Sequence, residues 1–246
     1  MTIMLDNCTY RYRRWAPPIL SEFSYEIQNG LTILLGPNGA GKSTLLRLAA
    51  SVAKPQAGKV TLGNISSRSR DFRRAVAWMP QEITPMPTLT TREYVAYIGW
   101  LKGMSRGEAW SHARQVLDRV GLIEKSDTRT SRLSGGQLRR VGIASALVHD
   151  ARVLLLDEPT AGLDPHQRRV FREILKELTV GMQVLVSTHD IIDLEEDADY
   201  VTVLYEGKIC HSGNKASFLA HSPANVIPGR VAEQAYSAIL AIHGAE

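Results

Sequence analysis

Apolar residues along the chain follow two rhythms, and the switch between them divides the sequence into thirds. In the first third, short apolar stretches end in turn signals: TIML, FSYEI before Asn29-Gly30, LTILL before Gly36, and KVTL before Gly63-Asn64. Runs of that length bounded by Gly and Asn predict strands. KSTLLRLAASVA instead places Leu45, Leu48, Ala49 and Val52 at helical spacing, with Pro55 beyond its end, and predicts a helix.

The middle third is helical in rhythm. Three segments open with a Ser or Thr followed three residues later by Glu or Gln, the reciprocal cap of a helix start: Thr90 with Glu93, Ser105 with Glu108, and Ser134 with Gln137. In the first, Tyr94, Tyr97 or Ile98, and Leu101 recur at helical spacing; in the second, Trp110, Ala113, Leu117 and Val120 do, with Gly121 placed as a stop. Residues from about 82 to 150 therefore read as a helical insert. The last third alternates: strand RVLLLD, helix PHQRRVFREILKEL, strand QVLVST, helix IIDLEEDA, strand YVTVLYEG. Wholly apolar strands separated by helices predict a buried parallel sheet with helices on its faces. From about Ala216 the chain reads as a tail, weakly helical in RVAEQAYSAILAIHG.

Composition narrows the class. With 246 residues, 44% hydrophobic and 22% charged, the chain is long enough for a sizeable core and ordinary for a soluble globular protein. No apolar run reaches the eighteen or so residues of a membrane span, since GIASALVHDARVLLLDEP is cut by His149, Asp150 and Arg152. MTIMLDNCTYRYRR has no long apolar core followed by a cleavage site, so the protein is expected to stay in the cytoplasm. Cys8 and Cys210 are expected as reduced, packed thiols. The net charge of +4 includes arginine clusters at Arg11, Arg13 and Arg14 and at Arg68, Arg70, Arg73 and Arg74. With no nucleic-acid-binding motif beside them, these read as solvated faces.

The chemistry enters with GPNGAGKST, Gly36 to Thr44, which satisfies G-x-x-x-x-G-K-[ST] at a predicted strand-to-helix junction. Glycines let the backbone wrap phosphates, Lys42 meets the β and γ oxygens, and the Ser43 hydroxyl can ligate Mg2+. VLLLDEP then delivers two carboxylates at the C-terminal end of a buried strand, where open α/β sheets bind ligands. Asp157 is placed to hold the metal or its water. Glu158, which points away from Asp157 unless the strand ends between them, can orient an attacking water. VLVSTHD brings His189 to another strand end, a γ-phosphate contact, and Gln81 in AWMPQE marks where the insert begins.

One stretch stands apart. LSGGQLRR opens a helix with a serine and two glycines, as phosphate-binding helix starts do, yet no lysine follows to meet the charge. Read alone, Ser134 with Gln137 is a cap on a helix whose core face is Val141, Ala144, Leu147 and Val148. Arg139 and Arg140 fall a turn inside that helix and are expected as surface charge.

Together these motifs closely resemble the ATP-binding subunits of ABC transporters, in the family's order and spacing up to about Gly213. GPNGAGKST resembles the Walker A loop, Gln81 the Q-loop glutamine, LSGGQ the signature, LLLDEP the Walker B strand with Glu158 as catalytic base, AGLD the D-loop ending in Asp164, and His189 the switch histidine. The resemblance places the adenine-stacking aromatic in LDNCTYRY, at Tyr12 or else Tyr10, and Ala161 stands where many members have serine.

What the resemblance implies is an α/β fold: a P-loop NTPase core with a mainly parallel sheet, an N-terminal antiparallel β part and the helical subdomain inserted at about 82–150. One ATPase domain would span 1–215, with the tail at 216–246. ATP would be bound by Tyr12, Gly36, Pro37, Asn38, Gly39, Ala40, Gly41, Lys42, Ser43 and Thr44, and by Ser134, Gly135, Gly136, Gln137 and Asp164. Mg2+ would be held by Ser43, Gln81 and Asp157, and catalysis carried by Glu158, His189, Lys42 and Gln81. Two subunits, identical or related, would close head to tail over two ATP molecules, each lying between one Walker A and the other signature. Loss of the γ-phosphate would then release the pair. The subunit would sit on the cytoplasmic face of a membrane, bound to separately encoded membrane-spanning subunits. LTTREYVAYIGWLKGM resembles subunits serving ABC-2 type exporters, which points to export. The alternative is a soluble ATPase of the same family acting in iron-sulfur cofactor assembly or on a macromolecular complex.

Overall fold

The apolar runs become strands of two sheets. In the computed structural model, residues 1–149, 151–178, 182–189, 197–223 and 230–244 are described. The strands are β1 (Ile3–Tyr10), β2 (Leu20–Glu26), β3 (Gly30–Leu35), β4 (Ala57–Leu62), β5 (Ile65–Ser66), β6 (Val76–Met79), β7 (Val153–Asp157), β8 (Gln183–Thr188), β9 (Tyr200–Tyr205) and β10 (Lys208–Asn214). A four-stranded antiparallel sheet has the order β2-β1-β4-β5, and a six-stranded sheet the order β10-β9-β3-β8-β7-β6. Within the second sheet every pairing is parallel except the β9–β10 hairpin. An antiparallel N-terminal part beside a mainly parallel sheet is the α/β class that the sequence predicts.

The helices are α1 (Lys42–Ala49), α2 (Arg70–Ala75), α3 (Thr91–Leu101), α4 (Arg106–Arg119), α5 (Gly135–Leu147), α6 (Pro165–Leu178), α7 (Lys215–Leu219) and α8 (Val231–Ile242). Thr90, Ser105 and Ser134 each cap their helix with the reciprocal bonds of a capping box, as the spacing predicts. Because the parallel strands are covered on both faces, their side chains sort by twos. Ile33, Leu154, Leu156, Val184 and Val186 join the core that runs under α3, α4 and α5. Leu34, Val153, Leu155 and Leu185 point the other way, into the core shared with α1 and the antiparallel sheet. Each such side chain contributes on the order of 1.5–3 kcal/mol through burial.

Several elements differ from the periodicity. Helix α1 stops at Ala49 rather than near Ala53, because Ser51 adopts a positive φ of 57° and the Val52 N–H turns back to Arg47 O at 2.9 Å. Val52 consequently lies half exposed instead of on the core face. The arginine-rich stretch at 68–74 contains α2, capped by Ser69 and pinned by the fully buried Phe72, so its arginines are solvated but the segment is anchored to the core. In the tail, Asn214 caps α7, and Phe218, Ala232, Ala235 and Ile239 lie in the same core as the parallel sheet. Cys8 and Cys210 are free thiols, the first buried and the second partly so. The helix expected over IIDLEEDA falls, as far as residue 196, outside the described residues. No helix among them is long and apolar enough to cross a membrane.

Candidate functional site

Parallel pairing brings three strand ends to one edge. The register sets Leu35 of β3 beside Thr188 of β8, and Asp157 of β7 beside Ser187 of β8. Chain leaving β3 forms the glycine loop, and α1 starts immediately after it. Gly36 has no room for a side chain, since a Cβ there would lie 2.3 Å from the Leu204 carbonyl oxygen. Gly41, with φ at 106°, turns the chain into α1 through a conformation that L side chains avoid. The first turn of α1 carries no acidic residue and no side-chain cap, so its positive end stays directed at the loop.

Lys42 is buried within that loop, with Nζ donating to the carbonyls of Gly36 at 2.6 Å and Pro37 at 3.1 Å. Burial holds its pKa below the usual lysine range, and the nearby Glu158 and Asp157 carboxylates act in the opposite direction. Thr44 and Ala40 are buried, Ser43 is partly exposed, and Asn38 and Gly39 face solvent. Tyr12 is 53% exposed and its hydroxyl lies 2.9 Å from Thr44 Oγ1. The Arg47 guanidinium sits 5.8 Å from its ring centroid. Tyr10 packs edge-on against Tyr12, with ring centroids 5.3 Å apart, and leans on the core beneath. Of the two, Tyr12 touches the loop.

The strand ends between the two acids, so strand alternation does not set the direction of the second. Asp157 is the last residue of β7, and Glu158 turns out of the strand at a φ of 47°. Ser187 holds both: its hydroxyl donates to Asp157 Oδ1 at 2.6 Å and accepts the Glu158 N–H at 3.0 Å. The same N–H also reaches Ser187 O at 3.1 Å. The Glu158 side chain, 12% exposed, lies against His189, with Oε2 3.1 Å from Nδ1. Local periodicity gives no sign of Ser187; only the β7–β8 register identifies it.

The signature is elsewhere. Ser134 accepts from the Gln137 N–H at 3.3 Å while Gln137 Oε1 accepts from the Ser134 N–H at 3.0 Å, so the helix start is capped within the chain. Gly135 opens onto free space, and a Cβ on Gly136 would lie 2.7 Å from the Gln167 side-chain oxygen. Asp164 caps the start of α6 by accepting from the Gln167 N–H at 2.9 Å. Among the described residues, no hydrogen bond joins Ser134, Gly135 or Gly136 to the 36–44 loop.

Arg139 overturns one expectation. It is buried, not surface charge, and donates to the carbonyls of Gln81, Glu158 and, at 3.2 Å, Pro159. Arg140 is also engaged, donating to the Val120 carbonyl at 3.0 Å, so neither arginine is a free surface charge. Through Arg139 the Gln81 backbone joins the Glu158 edge while its side chain stays exposed.

Ser43, Gln81 and Asp157 offer hydroxyl, amide and carboxylate oxygens. One carboxylate with neutral oxygens suits Mg2+, which keeps water and phosphate ligands instead of an all-protein cage. Among the described residues no group of three or more His, Cys, Asp or Glu is placed to hold a metal alone.

The sequence model of the ABC transporter family matches residues 20–161. The linearmycin resistance ATP-binding protein LnrL of Bacillus subtilis is 33% identical over 213 residues, covering 85% of this chain and 68% of that protein. The Nod factor export ATP-binding protein I of Bradyrhizobium diazoefficiens is 37% identical over 214 residues, covering 85% and 70%. Among solved structures, the dimer of MJ0796, a bacterial ABC transporter cassette, aligns with a TM-score of 0.78 at 28% identity, covering 87% of this chain and 98% of that one. The same cassette in a post-hydrolysis state bound to ADP and Pi aligns equally well.

Proposed function

The chain belongs to the ABC transporter family of ATP-binding proteins, ATPases that convert ATP and water to ADP and phosphate, and we propose that it powers an exporter by head-to-tail dimerisation over ATP. The observation that carries this reading is the separation of two phosphate-directed helix starts. One has Lys42 and Ser43; the other, at Ser134, has glycines, no acidic residue and no lysine. A half site open to solvent is suited to a phosphate supplied by a second subunit, identical or related. The relatives' names, linearmycin resistance and Nod factor export, favour transport out of the cell over a soluble assembly ATPase. Separately encoded membrane subunits would hold the chain at the cytoplasmic face of the membrane.

In this mechanism the 36–44 loop wraps the phosphates and the Lys42 ammonium exchanges the Gly36 and Pro37 carbonyls for β and γ oxygens. Tyr12, already against Thr44, stacks on the adenine. Ser43, Gln81 and Asp157 would hold Mg2+, which when bound neutralises charge on the β and γ oxygens. Glu158 accepts a proton from the attacking water, and the Nδ1–H of His189 fixes its carboxylate while the ring lies toward the γ-phosphate. Ser134, Gly135 and Gly136 of the other subunit donate to the same γ-phosphate from a positive helix end. Once that phosphate leaves, these donors lose their target and the pair opens. Residues 82–150 act as the helical subdomain that carries the signature within one ATPase domain over 1–215, with 216–246 as a C-terminal extension whose Phe218, Ala232, Ala235 and Ile239 pack on that domain.

Ser134→Asp separates capping from phosphate binding. Aspartate caps a helix about as well as serine, so the monomer should unfold in urea within about 0.5 kcal/mol of wild type. Its charge would face the γ-phosphate, and in the Glu158→Gln background, where hydrolysis does not remove the γ-phosphate, ATP-dependent dimerisation should be abolished in light scattering. A dimer of unchanged affinity would remove the signature from the site.

A further inference from the structure

The arginine that the sequence assigns to the surface lies at the junction of three functional segments. Arg139 is the fifth residue of α5, the helix that begins at the signature, and it is 9% exposed. All three guanidinium nitrogens are used: Nη1 on the Gln81 carbonyl, Nη2 on the Glu158 carbonyl, and Nε on Pro159 O. Burial lowers the pKa of the guanidinium, the nearby Glu158 and Asp157 carboxylates act in the opposite direction, and the three carbonyls hold the cation. One turn further along, Gly142 fits so closely against the segment after Gln81 that a Cβ there would lie 2.5 Å from Ile83 Cδ1. The same face of α5 therefore grips this segment at two levels.

Glu158 needs such a hold. A non-glycine residue at a positive φ sits in a sparsely populated conformation that persists only where the surroundings over-determine it. On its amino side the peptide is fixed to β8 through the Ser187 hydroxyl and carbonyl. On its carboxyl side the carbonyl accepts from Arg139 and from the Ala161 N–H at 3.2 Å. Rotation about this residue would swing the carboxylate away from His189.

We infer that Arg139 is a positioning residue for hydrolysis, a clamp that fixes the Glu158 backbone and the Gln81 backbone to the signature helix so that the carboxylate keeps its station. The inference rests on the reading of Glu158 as the base. Because α5 also presents Ser134 and Gly135 to the ATP of the other subunit, the clamp joins the acid of one nucleotide site to the phosphate sensor of the other. A lysine keeps the charge of Arg139 but not the planar fork that spans carbonyls from separate segments, and glutamine keeps neither.

The test compares wild type, Arg139→Lys, Arg139→Gln and Glu158→Gln for steady-state ATP hydrolysis, affinity for a fluorescent ATP analogue, and thermal unfolding. Both Arg139 variants should lose at least 30-fold in kcat while binding the analogue within threefold of wild type as folded proteins. Arg139→Lys hydrolysing within threefold of wild type, with Glu158→Gln inactive, would overturn the clamp and leave the base reading standing. Parallel loss of analogue binding, kcat and folded protein in both Arg139 variants would overturn it too, reducing Arg139 to a packing role. Hydrolysis persisting in Glu158→Gln would overturn the base reading and the clamp with it.

Discussion

Glu158→Gln is expected to lower ATP hydrolysis by about 10²- to 10⁴-fold, the range general-base catalysis contributes, while leaving ATP binding intact. The amide is nearly isosteric with the carboxylate and still accepts from His189 Nδ1, so the 3.1 Å contact has a partner in the variant. The backbone bonds that hold residue 158 do not involve its side chain. What disappears is the proton acceptor. Because hydrolysis no longer removes the γ-phosphate, the variant should accumulate as an ATP-bound dimer where the wild type returns to monomer. Single-turnover hydrolysis with nucleotide retention on the protein measures both quantities, and a variant that hydrolyses at more than a tenth of the wild-type rate would mean another group takes the proton.

Lys42→Ala should abolish nucleotide binding at concentrations that saturate the wild type. The ammonium is buried against two loop carbonyls and makes charge-assisted bonds, each worth about 1.5–3 kcal/mol when it meets phosphate oxygens. Losing two of them predicts an affinity at least about 100-fold weaker at 1.4 kcal/mol per decade. Fold stability should change little. The substitution leaves the Gly36 and Pro37 carbonyls without that donor, but it also removes a charge that burial disfavours. Isothermal titration with ATP, paired with urea unfolding, checks both halves. Retained affinity would place the phosphates away from the 36–44 loop.

Much of this was legible in local sequence, and the reasons differ by element. The glycine loop, its lysine and the acids after VLLL are set by short-range chemistry: turn geometry, a strand end and a helix start. The three capping boxes are equally local. Arg139 was not, because helical periodicity names the stripe Val141, Ala144 and Val148 while α5 is buried on a second side as well. Gly142 was the available signal there, since glycine in a helix interior lowers stability and marks a close approach. Ser187 became functional only through the register that sets it beside Asp157, which no local pattern encodes. The early end of α1 depends on Ser51 taking a positive φ, a conformation few would assign to serine. The tail read as weak because Phe218, Ala232 and Ile239 pack on β9 and β10, partners met only in the fold.

The central claim, that each ATP is shared between the 36–44 loop of one subunit and the signature of the other, is tested most directly by complementation. Two proteins, both carrying Glu158→Gln, are prepared: one with Lys42→Ala and one with Ser134→Asp. Head-to-tail pairing gives each homodimer two half-broken sites, whereas the mixed dimer has one site with both halves intact. Light scattering with ATP should find each protein monomeric alone and the mixture partly at twice the monomer mass. A mixture that stays monomeric while the Glu158→Gln parent dimerises would contradict the shared site, as would dimers formed equally well by either protein alone.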